Sequence, residues 1–263
     1  MADGNTPAYD ITVTSPARVW DYWLGGKDNY AVDRETAGNA AAAMPSMPRI
    51  ARASRRFLTS AVTLLTQEHG VRQFLDIGSG LPTADNTHEV AQRLAPDARV
   101  VYVDHDPVVL RHGQALLASA PEGATDFVQA DLRDAEKVLA EAGRTLDFRR
   151  PVAVFLITVL HFIPDSDRPH EIVSRLTRAL APGSFLAVLH APSDVRADEV
   201  SGMARNYNSN TPSPITPRPR AEVARFFDGL EMVPPGLVNF TGWPGLGDTD
   251  PGLAGYVGIG RKP

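Results

Sequence analysis

The 263-residue chain contains no cysteine, so disulfides, thiolate metal sites and a cysteine nucleophile are all excluded. Its longest apolar run, residues 152–160, falls far short of the roughly 20 residues that span a bilayer, and no membrane role is expected. It has no excess of basic residues. The 26 Lys and Arg against 31 Asp and Glu leave a net charge of −5, and a nucleic-acid binder ordinarily presents a basic face. The first 15 residues are polar and lack the basic segment and apolar run of a secretory signal. No group of His, Asp or Glu has metal-ligand spacing, so no metal site is expected. What remains, with 43% hydrophobic and 22% charged residues, is the composition of a soluble globular protein, for which a cytoplasmic setting is expected. The length suffices for one full α/β domain with appended pieces.

The most informative stretch present is Phe74-Leu75-Asp76-Ile77-Gly78-Ser79-Gly80, a buried strand running into a glycine turn. Two further strands end in acids. One closes on Asp104, 24 residues beyond Gly80, and the other leads to Asp131 and Leu132. A glycine loop followed by acids at successive strand ends suits an adenosine-containing ligand. Glycines admit a close backbone approach, and an acid at the second strand accepts hydrogen bonds from ribose hydroxyls.

The texture of the chain divides into zones. Residues 1–15 read as a flexible arm. Residues 16–70 read as helices, the first with Ser15 as N-cap, Pro16 at its first position and Gly25-Gly26 after its last turn. Residues 71–190 alternate strand and helix. The strands are continuous apolar runs, the pattern of a parallel sheet covered on both faces. Residues 191–216 read as a long irregular connection, which in a compact domain is usually functional. A helix capped by Thr216-Pro217 and two final strands, at 230–237 and 256–261, close the chain. The division expected is an N-terminal arm and helical cap or lid over 1–70, and a core over 71–263. The fold expected is α/β and Rossmann-like, with a seven-stranded mostly parallel sheet and an antiparallel C-terminal edge.

The strand-end motifs at residues 75–80, 103–104 and 130–132 resemble those of class I S-adenosylmethionine-dependent methyltransferases. Residues 18–30, RVWDYWLGGKDNY, together with 81–88, LPTADNTH, narrow the resemblance to a bacterial S-adenosyl methyltransferase family, over about residues 15–261. It implies S-adenosyl-L-methionine as cofactor, S-adenosyl-L-homocysteine as product and a small-molecule acceptor. It also implies roles. Gly78, Ser79 and Gly80 admit the methionine moiety, and Asp76 helps hold its amine. Asp104 binds the ribose diol with His105 beside it, and Asp131 and Leu132 meet the adenine. Thr158 lies near the sulfonium. Arg18, Tyr22, Gly26, Asn29 and Tyr30 join the cofactor set as part of a lid, with Tyr22 and Tyr30 as aromatic neighbours of the sulfonium. Pro82 stands where the general motif has its third glycine.

His161 and His190 fall at strand ends, where ligands of open α/β sheets bind, and His161 is the candidate catalytic base. His88 is a weaker candidate for cofactor contact, and Arg52, Arg55 and Arg56 read as a solvated basic face. Two rival functions share the motifs: a non-catalytic S-adenosylmethionine-binding sensor or partner protein, and a nicotinamide-dependent oxidoreductase. Against the latter stand the missing third glycine and the absence of a Tyr-x-x-x-Lys pattern.

Overall fold

The computed structural model describes residues 10–116, 119–246 and 253–263. Three helices come first: α1 (Pro16–Leu24), α2 (Ala31–Ala43) and α3 (Met47–Gln67). Strand and helix then alternate through β1 (Gln73–Ile77), α4 (Thr87–Leu94), β2 (Arg99–Asp104), α5 (Pro107–Leu116), β3 (Ala124–Gln129), α6 (Ala135–Ala142), β4 (Ala153–Ile157), α7 (Pro169–Ala179) and β5 (Phe185–His190). The chain closes with α8 (Ala197–Asn208), α9 (Arg220–Ala224), β6 (Glu231–Met232), β7 (Val238–Asn239) and β8 (Tyr256–Arg261).

The sheet runs β3-β2-β1-β4-β5-β8-β6, with β7 pairing to β8 beside β6. β1 to β5 are parallel and β8 is antiparallel to β5. β1, β4 and β5 are buried along their whole lengths. Successive residues face opposite layers. Phe74 and Phe155 pack edge-on at 5.9 Å in the layer that holds Phe57 of α3. Leu75, Val101, Val154 and Leu186 face the other layer, with Val138 of α6 and Leu176 of α7. The strand order reverses between β1 and β4, and such a switch point opens a crevice at the C-terminal strand ends. The sequence motifs end there.

Four expectations change. The strand expected over 230–237 is two short ones, Glu231–Met232 and Val238–Asn239, which pair with opposite ends of β8. Pro234 and Pro235 between them have no N–H to give the ladder, and the Gly236 N–H turns back to the Val233 carbonyl, which breaks the run, so the sheet has eight strands among the described residues rather than seven. The irregular connection expected over 191–216 contains α8, whose Val200, Met203, Ala204 and Tyr207 form a buried stripe at helical spacing against the N-terminal helices. The last helix begins at Arg220 rather than after Thr216, because the Arg218 side chain is drawn inward to donate to the Leu160 and Ile163 carbonyls. The arm expected over 1–15 lies, for residues 1–9, outside the described residues. Its end at Thr14 and Ser15 is buried.

α1 to α3 share one apolar cluster with the sheet. α1 is fastened to α2 by a buried ion pair in which Arg18 Nε donates to Asp33 Oδ2 at 2.8 Å, and Arg18 also donates to the Val13 carbonyl. Asp33 further accepts from the backbone N–H groups of Ser15 and Tyr30. Gly25, in the left-handed region at φ 84°, ends α1. Ser15 occupies the N-cap position, but its hydroxyl donates to Asp106 Oδ2 at 2.7 Å instead of capping the helix. That bond ties the start of α1 to the start of α5. Removing one partner of a buried ion pair strands the other. Arg18→Ala should therefore lower unfolding stability by about 3–5 kcal/mol. A urea midpoint unchanged from wild type would show that the pair does not hold α1.

Candidate active site

A cavity of about 320 Å³ opens at the C-terminal ends of β1, β2, β3 and β4. α1 roofs it with Pro16, Ala17, Trp20, Asp21 and Leu24, and α3 walls it with Ser54, Arg55 and Leu58. Of the residues expected to bind cofactor, Asp76, Gly78, Ser79, Gly80, Asp104, His105, Asp131, Leu132 and Thr158 line this cavity.

The floor is built from carboxylates. Asp76 is buried near the end of β1 and accepts from Thr87 Oγ1 at 2.6 Å. Burial pushes its pKa up to about 6, against the opposing pull of that hydrogen bond and of the Arg55 charge. Asp104, at the end of β2, is also raised by burial. Its Oδ2 accepts from the Gly80 N–H and its Oδ1 from the Asp106 N–H, each at 3.0 Å. Asp106 caps α5 by accepting from the Val108 N–H, which leaves Asp104 turned to the cavity. Asp131 shares its carboxylate with Arg133, which also donates to Asp167 at 2.6 Å.

The two loop glycines do different things. Both have positive φ, 73° at Gly78 and 66° at Gly80. A Cβ at Gly78 would lie 2.5 Å from Val159 Cγ2, so this glycine lets the segment after β4 close against the loop. A Cβ at Gly80 would meet nothing within 4 Å, so this glycine borders open space and answers to its left-handed backbone alone.

Five expected cofactor residues do not line the cavity. Arg18 is spent on Asp33, and Tyr22 is 41% exposed on the outer face of α1. The segment after α1 instead supports Asp21, a buried carboxylate on the cavity wall whose pKa burial raises. A Cβ at Gly26 would strike the Asp21 carboxylate, and Asn29 Nδ2 donates to Asp21 Oδ2 at 2.8 Å. Tyr30 closes a capping box at the start of α2. The aromatic ring that α1 presents to the cavity is Trp20, not Tyr22. Helical phase explains the exchange. Ala17, Trp20, Asp21 and Leu24 share one face, and Tyr22 lies on the other.

Arg55, expected on a solvated face, lines the cavity; its Nη2 donates to the Asp85 carbonyl at 3.0 Å, and its Nε is buried with no hydrogen-bond partner among the described residues. Burial lowers its pKa, opposed first by Asp76. The signal was present in the spacing. Arg55 stands four residues after Ala51 and three before Leu58 on the buried stripe of α3, whereas Arg52 and Arg56 point outward.

His161 does not line the large cavity. It lines a smaller pocket of about 50 Å³ beside it, which shares Pro16, Trp20, Thr158 and Phe162 with the first. Burial holds its ring neutral, well below the usual histidine range, helped by His190 and Arg218. Its Nδ1 has no partner among the described residues. His190 is fully engaged. Its Nδ1 bonds the Ala191 carbonyl at 2.8 Å and its Nε2 accepts from Arg218 at 3.0 Å, which makes it structural. His88 bonds Tyr102, away from the cavity. No group of three or more potential metal ligands occurs among the described residues. No described helix is long and apolar enough to cross a membrane.

Ionised Asp76 is less stable in the fold than in the unfolded chain, so its charge costs stability above its folded pKa. Asp76→Asn should leave stability unchanged below pH 4. It should raise it progressively between pH 4 and 7, by up to roughly 3 kcal/mol. Urea unfolding at pH 4 and pH 8 checks this, and a stability gain confined to pH 4 would contradict it.

A family model described as S-adenosyl methyltransferase matches residues 3–263. The chain is 42% identical to a DUF574-family protein from Streptomyces avermitilis, over 97% of this chain and 100% of that one, with a TM-score of 0.92. It is 40% identical to a candidate methyltransferase from Thermobifida fusca, over 97% of each chain, with a TM-score of 0.88. At 13% identity and a TM-score of 0.52 it shares the fold of the plantazolicin methyltransferase BpumL, solved with S-adenosylhomocysteine. No curated protein matches it significantly.

Proposed function

This chain belongs to the S-adenosyl methyltransferase family, and we propose that the 320 Å³ cavity holds its cofactor and that its acceptor is a small molecule. It is an S-adenosylmethionine-dependent methyltransferase, not a nicotinamide-dependent oxidoreductase. When bound, S-adenosylmethionine supplies a sulfonium methyl group for in-line displacement by a nucleophile. The residues present fit such a group. Its amino-acid end is a zwitterion, and its sulfonium is a further cation.

The observation that carries the residue assignment is the opposition of charge on one wall, buried Asp76 and half-buried Arg55, whose Nη2 donates to the Asp85 carbonyl at 3.0 Å while its buried Nε has no hydrogen-bond partner among the described residues. Asp76 receives the ammonium group and Arg55 the carboxylate. Both groups are already desolvated, so binding recovers the interactions that burial took away. Asp104 accepts from the ribose hydroxyls on the carboxylate lone pairs that Gly80 and Asp106 leave free. Leu132 and Asp131 bound the adenine. Trp20 and Thr158, common to both cavities, stand where the methyl group must leave one and enter the other. A ring face such as that of Trp20 suits a sulfonium.

α1 acts as the cover. Excluding water and holding donor and acceptor in line can supply about 7–11 kcal/mol of the barrier, so a strong base is not required. The acids that rim the crevice would repel the phosphates of a nucleic acid, which favours a small-molecule acceptor. The cytoplasm is the setting inferred from composition.

Loss of a charge-assisted hydrogen bond is worth about 1.5–3 kcal/mol. Arg55→Met should thus weaken S-adenosylhomocysteine binding roughly ten- to a hundredfold in calorimetry. Binding of decarboxylated S-adenosylmethionine should be nearly indifferent to the same change. Equal losses for both ligands, or none for either, would remove Arg55 from the carboxylate site. Asp104→Ala should weaken both ligands alike, by about tenfold or more.

A further inference from the structure

We propose that the smaller pocket seats the methyl acceptor, and that this acceptor is a small, uncharged, largely apolar molecule bearing a hydroxyl group. The inference rests on the cofactor assignment above, because the two spaces meet at Pro16, Trp20, Thr158 and Phe162.

The chemistry of the wall carries the argument. No Asp, Glu, Lys or Arg lines this pocket, in contrast to the acid-rich cavity beside it. A charged acceptor would be stripped of water there with no counter-charge, which is strongly unfavourable. Three polar side chains reach the wall. Thr158 is satisfied, since its hydroxyl donates to the Ile157 carbonyl at 2.7 Å. Tyr207 is buried, and its hydroxyl, near Thr211, makes no hydrogen bond among the described residues, a second polar group with unused capacity beside His161. His161 is 5% exposed and its Nδ1 is unpartnered among the described residues, whereas the adjacent His190 has both ring nitrogens engaged. A buried, neutral imidazole with unused hydrogen-bonding capacity is matched by one hydroxyl group on an otherwise apolar molecule.

The volume of about 50 Å³ is less than twice the roughly 30 Å³ that one water takes in the liquid. The pocket must widen to admit a ring, and its walls are made for that. Met44, Met47 and Met203 line it, three of the five methionines in the chain. Methionine is unbranched and repacks readily around different shapes. Met1 lies outside the described residues, and Met232 is 37% exposed and lines neither space.

The wild-type chain, saturated with S-adenosylhomocysteine and labelled with carbon-13 at its methionine methyl groups, is titrated with phenol, cyclohexanol, toluene and benzoate. Phenol and cyclohexanol should shift the signals of Met44, Met47 and Met203 and leave that of Met232 in place. Toluene should bind roughly three- to tenfold more weakly than phenol, the worth of one neutral hydrogen bond. Benzoate should produce no shift. In His161→Leu the preference for phenol over toluene should disappear, and in Val200→Phe, which fills the pocket, all of these ligands should be lost while S-adenosylhomocysteine still binds. Should S-adenosylhomocysteine bind while phenol and cyclohexanol leave all five methyl signals unmoved, or should benzoate bind as well as phenol, the acceptor class is wrong and the cofactor assignment stands. Failure of S-adenosylhomocysteine itself to bind would overturn both.

Discussion

Desolvated negative charge at the ends of two adjacent parallel strands is the constraint around which this molecule is organised. Asp76 and Asp104 sit where β1 and β2 stop, both with carboxyl pKa values raised by burial. Both lie deep in a sheet covered on both faces, and donors of the neighbouring segments pair with them. Thr87 gives its hydroxyl to Asp76, and Gly80 and Asp106 give their backbone N–H groups to Asp104. The glycine loop then has two tasks. It must turn tightly enough to bring Gly80 N–H onto Asp104, and it must leave room for Val159 to close over Gly78. The remaining imbalance, five aspartates against two arginines around the cavity, is matched by a ligand that arrives as a cation.

The roof answers to the same electrostatics at one remove. α1 can lie over an acidic cavity only if its own charged groups are settled elsewhere. Arg18 is, in the ion pair with Asp33, and Asp33 in turn organises the start of α2 through the Ser15 and Tyr30 backbones. Asp21 is the exception and remains on the cavity wall with Asn29 as its partner. The motif at 18–30 thus divides in two. One part builds and anchors the helix, and the other, Trp20 and Asp21, meets the site.

That division explains what could be read in the sequence. Strand ends were legible because continuous apolar runs fix where β1, β2 and β4 lie. The residue that follows a parallel strand faces the crevice almost whatever its identity. Asp104 and Asp131 were legible from those strand ends alone, whereas Asp76, Leu132 and Thr158 came from the resemblance of the motifs, and all five line the cavity. Helix faces were harder. Choosing Trp20 over Tyr22 needs the rotation of α1 about its axis, which is set by contacts with α2 and α3 from distant parts of the chain. α8 carried an amphipathic stripe, but the Pro and Asn residues around it obscured the period. The strand expected at 230–237 failed for a local reason, the prolines at its centre, that a stricter count of ladder donors would have caught.

Charge is segregated between the two spaces that share Trp20 and Thr158, acids on one side and none on the other. This bears on rate as well as recognition. Methyl transfer from a cationic donor to a neutral nucleophile spreads one positive charge over two heavy atoms at the transition state. Water solvates the concentrated charge of the reactant better than the dispersed one, so it favours the ground state. A wall of methionine, tryptophan and phenylalanine does not. On the assignments proposed above, the acids of the larger cavity hold the donor away from solvent, and the uncharged pocket withholds the solvation that would retard the reaction. Neither arrangement requires a strong base. A His161 ring held neutral by its surroundings agrees with this: on the proposed seating it accepts the hydroxyl's hydrogen bond, and the proton passes to it and on to solvent only as the oxygen bonds the methyl carbon and the C–S bond breaks, when that hydroxyl has become strongly acidic.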